Sequence, residues 1–456
     1  MHLLPNRLIS LLLPLLLCCG TLISLSGQQT APPWQELFNG TDFSGFTALN
    51  GKAPFHYDSS GAVVGTAVLN SPNTFLSTDD NYGDFILEYE LWNDPRLNSG
   101  VQFRSLSKPD YQDGRVHGYQ ADADPSPRGW SGGIYDEGRR GWIYPLTRYQ
   151  PARAASVTGQ WNHYRIEAVG PIIRTWVNGQ MAANLVDDRT ATGFIGFQVH
   201  GISEPEQEGT LVKWRNVRII TDRPERFQRA VDPRVPEVSY LVNQLTESEE
   251  RRGFRLLWDG NTWNGWEGQW GSALPGNQWE IANGVLTSKS KFAAIKTDRD
   301  YGDFELILDF NIRAGTTGGG IHYLMEMDTG QTTTGLVYQL ADDQRRPQGE
   351  GDHATVGSLR NLIPAQNLYH PERDEGYNGP DRWNQARIVV HDGRVEHWLN
   401  QQEIVEYDRD SQVFSALLGL SDYGSRTDLA NRLRGAIVLT AGTETTQLRS
   451  IRIREF

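Results

Sequence analysis

Cysteine is nearly absent: the 456 residues contain two, Cys18 and Cys19, adjacent and within the first twenty positions. The rest of the chain therefore folds without disulfides and works without thiolate chemistry. Basic charge is also scarce, with 43 Lys and Arg against 56 Asp and Glu, a net charge of −13 and no Lys/Arg-rich block. That balance leaves no phosphate-neutralising surface, so nucleic acid is excluded as a partner. Beyond the leader no apolar run is long enough for a membrane span, so none is expected in the mature chain. Helical periodicity is almost missing. The 47 Gly and 22 Pro, about 15% together, stay below the disordered or collagen-like range. Aromatic residues make up 10% of the chain, which points to an ordered, turn-rich globular protein. Its length predicts two or three domains at roughly 100–200 residues each.

The first residues read as a targeting segment. Arg7 supplies a positive n-region, Leu8 to Leu17 are apolar, and small residues follow. A secretory signal over residues 1–26 is expected, cleaved after Ser26 with Ser24 and Ser26 as the small-x-small pair. A competing reading takes Leu16-Leu17-Cys18-Cys19 as an imperfect lipobox with a lipid anchor at Cys19, although the bulky Leu17 argues against Cys18 as acceptor. An uncleaved anchor helix reaching Leu25 is the third reading. The first two place the mature protein outside the cytoplasm, periplasmic or secreted.

The chain repeats itself. Leu37-Phe38-Asn39-Gly40 recurs as Leu257-Trp258-Asp259-Gly260, and Tyr82-Gly83-Asp84-Phe85 as Tyr301-Gly302-Asp303-Phe304, at offsets of 220 and 219. Tyr119-Gln120 matches Tyr338-Gln339, Trp161-Asn162 matches Trp383-Asn384, Trp176-Val177-Asn178 matches Trp398-Leu399-Asn400, and Val217-Arg218-Ile219 matches Ile451-Arg452-Ile453. Order is kept throughout, which indicates a tandem duplication. The expected division is a first domain over 34–222, a linker over 223–252 and a second domain over 253–456. Within the linker, Thr246-Glu247-Ser248-Glu249 has capping-box spacing and predicts a short helix.

Each copy consists of short alternating runs rich in Val, Ile, Phe, Tyr and Trp, separated by Gly, Asn and Asp, as in Phe85 to Trp92, Gly100 to Arg104 and Gly193 to His200. Many such strands without intervening helices predict two all-β antiparallel sandwiches or jelly rolls. Because successive strand residues face opposite ways, Val101, Phe103, Tyr119, Ala121, Ile195, Phe197 and Val199 are assigned to the core. The opposite face would carry Gln102, Arg104, Gln120, Asp122, Gln198 and His200. An ordinary solvated face is the plain alternative, but amide, guanidinium, carboxylate and imidazole together are what a site needs. A Gly-rich loop with Tyr135, Asp136, Glu137, Arg139 and Arg140 is placed to close over that face, and Trp130 and Trp142, which flank it, are candidates to stack on sugar rings. The E-x-D-x-x-E run of retaining glucanases, H-E-x-x-H, a P-loop, a G-x-S-x-G elbow and an EF-hand loop are all missing.

The blocks Leu37-Phe38-Asn39-Gly40, Asn98-Ser99-Gly100-Val101-Gln102-Phe103-Arg104, Gly118-Tyr119-Gln120-Ala121-Asp122, Tyr135-Asp136-Glu137-Gly138-Arg139-Arg140 and Gly196-Phe197-Gln198-Val199-His200-Gly201 resemble the 3-keto-disaccharide hydrolase domain family. That family is also described as 3-keto-glucoside 1,2-lyase and 2-hydroxy-3-keto-glucal hydratase. The resemblance covers nearly the whole mature chain. It implies concanavalin A-like jelly rolls, an exported bacterial protein and 3-keto sugars or glycosides as substrates. The second copy departs from it, with Thr440-Ala441-Gly442-Thr443 where the first has Gln198-Val199-His200-Gly201. It is expected to be a degenerate partner that supports the first copy or binds carbohydrate.

A ketone at C3 acidifies the C2 proton, so a base can expel the C1 aglycone by β-elimination and water can add back across the glycal. His200 is the expected base, since an imidazole of ordinary pKa near 6.5 exchanges protons around neutrality. Arg104, with Arg139 or Arg140 in reserve, is expected to stabilise the enolate oxygen. Asp122 or Glu137 would protonate the leaving oxygen, and Gln102, Gln120 and Gln198 would bind hydroxyls. No cofactor is required; a divalent metal on His200 with Asp122 or Glu137 suits the ligand types, without a spacing motif to support it. The reading from a different class is a non-catalytic, lectin-like carbohydrate-binding protein, because sandwich folds host both roles.

Overall fold

The computed structural model describes residues 31–268, 278–326, 334–342, 355–366, 376–421, 423 and 428–456. The leader, with its cleavage point at Ser26 and with Cys18 and Cys19, lies outside the described residues. What is described is overwhelmingly antiparallel β-structure, arranged as two sandwiches in sequence. The first has a nine-stranded and a seven-stranded sheet, and the second an eight-stranded and a five-stranded one among the described residues. Among the described residues no helix is long and apolar enough to cross a membrane.

The seven-stranded sheet of the first sandwich carries the chemistry. In spatial order its strands are Gly141–Tyr144, Ile134–Glu137, His117–Ala123, Ser99–Leu106, Phe194–Val199, Thr74–Thr78 and Phe46–Asn50. One face of these strands supplies Val101, Phe103, Tyr119, Ala121, Ile195 and Phe197, all fully buried against Phe85, Leu87, Tyr89 and Leu91 of the opposing sheet. Period-two alternation then forces the intervening residues onto the other face. The second sandwich has its own core, built around Phe304, Leu306, Leu308, Tyr323 and Ile451.

The segment between the copies does more than connect them. The helix Glu247–Arg251 is closed at its start by a capping box in which Thr246 and Glu249 satisfy each other's backbone donors. Upstream of it, Val238–Ser239 adds a parallel strand beside Leu185 and Val186 at the edge of the nine-stranded sheet. Val235 and Val238 belong to the first core, and the Tyr144 hydroxyl donates to the Pro236 carbonyl at 2.6 Å. The first sandwich thus uses residues well past 222. Ser239 also reaches the second sandwich, its carbonyl accepting from Arg452 Nη2 at 2.9 Å and Gln385 Nε2 at 3.3 Å. The Thr147 hydroxyl donates to the Gln401 carbonyl at 2.7 Å.

Candidate active site

Strand register builds the site as a grid. Gly100 sits directly between Gln198 on one neighbouring strand and Asp122 on the other. The next row runs Gly196, Gln102, Gln120, Tyr135 and Trp142 across five strands. Directly opposed residues share a face, so both rows point away from the core. Gly100 is needed here, since a Cβ at that position would lie 2.8 Å from the Gln120 side chain. Over this face lies a cavity of about 330 Å³, within the roughly 300–1,000 Å³ of small-molecule clefts. Gln120, Asp122 and Gln198 line its floor, with Tyr135, Glu137, Trp142 and His200 around them.

Asp122 is 2% exposed, accepting from Gln120 Nε2 at 3.1 Å and Asn98 Nδ2 at 3.3 Å. Burial, reinforced by the nearby Asp124 charge, pushes its carboxyl up to about 7. Glu137 is also raised by burial, against the opposing pull of its partner Arg115, which holds it at 3.0 Å. His200 lies just past the end of its strand and is exposed. Its Nδ1 is 2.6 Å from the Gly201 carbonyl, and that turn is pinned by Gly201 N donating to Asn73 Oδ1 at 2.8 Å. A carbonyl can only accept, so Nδ1 carries the proton and the neutral ring keeps its lone pair on Nε2. Gln198 is buried with Oε1 lacking any hydrogen-bond partner.

Several expected residues are elsewhere. Arg104 does not line the cavity. A bulge between Phe103 and Leu106 breaks the alternation, Arg104 takes φ +45°, and its guanidinium turns away to Gly83 O, Gly170 O and Asp84 at 2.8–2.9 Å. One inserted residue moves a side chain to another face, which strict alternation along the sequence cannot reveal. Asp136, Arg139 and Arg140 are also displaced, because Tyr135 and Glu137 take the cavity face of their strand. Asp136 is fully buried and accepts from Arg139 Nε at 2.6 Å and Arg140 Nε at 2.5 Å, while Arg140 continues to Asp187. Gln102 lies beneath the floor, donating to Gln120 Oε1 at 2.9 Å and accepting from Ser105 at 2.6 Å. Trp130 packs edge-on to Trp142, with ring centroids 4.8 Å apart, and only Trp142 lines the cavity.

The cations of the cavity are Arg115 and Arg128. Arg128 lies over Trp130 and Trp142 at 4.6 and 5.0 Å and pairs with Asp124 at 2.5 Å. Both arginines, like Asn73, stand in turns outside any alternating run, so nothing in the strand pattern singles them out. Asn98 stood in a block already noted as resembling a family. Among the described residues, the His and carboxylate group whose ligand atoms converge within 4.8 Å is Asp303, His391 and Asp392 in the second sandwich, partly exposed; His200, Asp122 and Glu137 do not converge so closely.

Among the described residues the second copy repeats the central strands of the first. Leu324, at φ +52°, repeats the bulge of Arg104. Gly320 then stands where Gly100 does, and its cross-strand partners are Gln339 and Thr440. The match of Tyr119-Gln120 to Tyr338-Gln339 is therefore out of register by two residues: Gln120 corresponds to Val337 and Asp122 to Gln339. With Gln102 replaced by His322 and His200 by Gly442, no acid, base or hydroxyl-binding amide keeps its place. Arg360 lies across this face, donating to Gln339 Oε1 at 2.5 Å and to the Gly319 carbonyl at 2.6 Å. His322 is bonded to Thr440 at 3.0 Å and driven down to about 3 by burial and by Arg360.

The chain is similar to several known proteins. A curated relative, the 3-keto-disaccharide hydrolase of Bacteroides thetaiotaomicron, is 26% identical over 194 residues, covering 38% of this chain and 64% of that protein. The match thus spans less than two thirds of the relative's length. A solved protein of Parabacteroides distasonis superposes over its whole length on 47% of this chain, at 22% identity and a TM-score of 0.42. A carbohydrate binding module of Bacillus subtilis superposes over 93% of its length on 38% of this chain, at 17% identity and a TM-score of 0.26. The sequence profile of the 3-keto-alpha-glucoside-1,2-lyase-like domain matches residues 33–220 and again 253–454. With both sandwiches so matched, the chain belongs to that family as a tandem pair.

Proposed function

We propose that the chain is an exported carbohydrate-active enzyme that cleaves 3-keto-glycosides in the cavity of the first sandwich. Its reaction is loss of the C2 proton and β-elimination of the C1 aglycone, with hydration of the glycal completing net hydrolysis. The observation that carries this reading is the buried Asp122 carboxyl, pushed up to about 7, sharing one cavity with His200 and Glu137. Titratable groups held in different environments are the mark of acid and base assignments.

His200 takes the C2 proton on Nε2, the nitrogen that its Gly201 contact leaves unprotonated. The electron pair passes to the C3 oxygen, where Arg115 or Arg128 replaces Arg104 as the stabilising cation. Asp122 is protonated in a large fraction of molecules near neutrality and gives its proton to the departing C1 oxygen, with Glu137 as the alternative donor. In the hydration direction the same groups exchange roles, returning a proton to C2 while water attacks C1. Gln120 and Gln198 bind hydroxyls, and the unsatisfied Gln198 Oε1 is an acceptor that a sugar hydroxyl would fill. Gln102 acts only by holding Gln120.

The test is incubation of the full chain with a 3-keto-glucoside, following the ultraviolet absorbance of the enone-like glycal and the release of aglycone. Tight binding of unoxidised sugar with neither signal would leave the lectin-like role instead.

A further inference from the structure

A second cleft, of about 440 Å³, opens where the two sandwiches meet. It shares Arg115 and Tyr135 with the catalytic cavity, so the two are continuous. Its first-sandwich wall carries Arg139 and Arg140, and its second-sandwich wall runs from Tyr377 to Pro380 and Arg382. No carboxylate is among its described lining residues.

Among the described residues the charges do not cancel. Arg139 and Arg140 share Asp136, Arg140 also takes Asp187, and Arg115 takes Glu137, whose ionisation burial opposes. Arg382 is exposed and pairs with no described acidic residue. Arg139, with its side chain 6% exposed, leaves Nη2 without any hydrogen-bond acceptor. Among the described residues, four guanidinium groups thus face three carboxylates, on a chain whose net charge is −13. Planar guanidinium forks suit carboxylate, sulfate or phosphate oxygens.

We infer that this cleft is an anion subsite for the aglycone, taking a carboxylate or sulfate on the sugar next to the one cleaved, with Arg382 of the second sandwich as its principal ligand. This rests on the catalytic reading of the adjoining cavity. It gives the second sandwich, whose own polar face is overlain by Arg360, a role in selecting substrate.

The test uses the full chain and unoxidised disaccharides, so that it needs no turnover. Calorimetry would compare a neutral glucosyl-glucose with glucosyl-glucuronate and with glucosyl-glucose 6-sulfate. At least one anionic disaccharide is expected to bind about tenfold or more tighter than the neutral one, the effect of one charge-assisted contact, and added salt should shrink that gap. Arg382→Met should reduce the preference to within about twofold and leave the neutral sugar unaffected; Arg382→Lys should restore part of it. The arm with the larger preference identifies the anion. Absence of preference in both arms, or a preference that survives Arg382→Met, would overturn the inference. Turnover of 3-keto-glycosides without anion preference would sink the subsite alone. An Arg382-dependent preference without such turnover would sink the catalytic reading and keep the subsite.

Discussion

Asp122→Asn is expected to stabilise the protein at alkaline pH while removing its activity. The carboxyl is raised from 3.8 to about 7, so between those values the folded state holds a proton that the unfolded chain has lost. Stability then falls as pH rises, by up to 1.36 kcal/mol per unit. The full penalty is about 4 kcal/mol, absent below the unfolded pKa and complete above the folded one. Asparagine mimics the neutral acid and does not titrate, so it escapes this cost at every pH. Its amide must face one of the two donors now serving Asp122, Gln120 Nε2 or Asn98 Nδ2, which costs about 1 kcal/mol at all pH values. Comparing two pH values cancels that constant. The stability of variant minus parent, from urea unfolding of the first sandwich, should rise by about 2.5 kcal/mol between pH 5 and pH 8. Turnover should fall about 10²- to 10⁴-fold if the group moves a proton. A stability difference that stays flat with pH would refute the raised carboxyl and remove the main support for its role as acid.

Three further outcomes are expected. His200→Ala should lower turnover by about 10²- to 10⁴-fold with hardly any change in melting temperature, because the ring is exposed and its one hydrogen bond is to Gly201; unchanged turnover would make it a surface residue and pass the base role to Asp122 or Glu137. Arg104→Ala should do the reverse, costing roughly 0.5–1.5 kcal/mol for each hydrogen bond it gives up, at the Gly83 and Gly170 carbonyls, while folded molecules keep their kcat; a specific loss of kcat would return Arg104 to the site. A fragment from Gln28 to Asp222 should melt well below one ending at Leu241, since burying one valine contributes roughly 1.5–3 kcal/mol and the shorter fragment lacks Val235 and Val238 of the core; equal melting temperatures would show the strand Val238–Ser239 to be mere decoration.

The order of the repeat, the all-β class and the two faces of each regular strand were legible in the sequence, because the period of a strand is fixed by backbone geometry and the core residues declare the inward face. Val101, Tyr119 and Phe197 on one side put Gln120, Asp122 and Gln198 on the other with no knowledge of the fold. Arg104 was misread because a bulge is a feature of pairing between strands; the residues around it do not announce the break. The same blindness shifted the Tyr119-Gln120 match, since letter identity outweighed the register that sets Asp122 opposite Gly100. Arg115 and Arg128 come from turns whose paths only packing decides, and the cleft holding Arg139 and Arg382 exists only where the two sandwiches meet. Spacing along the chain determines which face a residue occupies; which faces converge into a cavity, and how far burial raises a carboxyl there, is decided by the tertiary structure, because both depend on atoms distant in sequence.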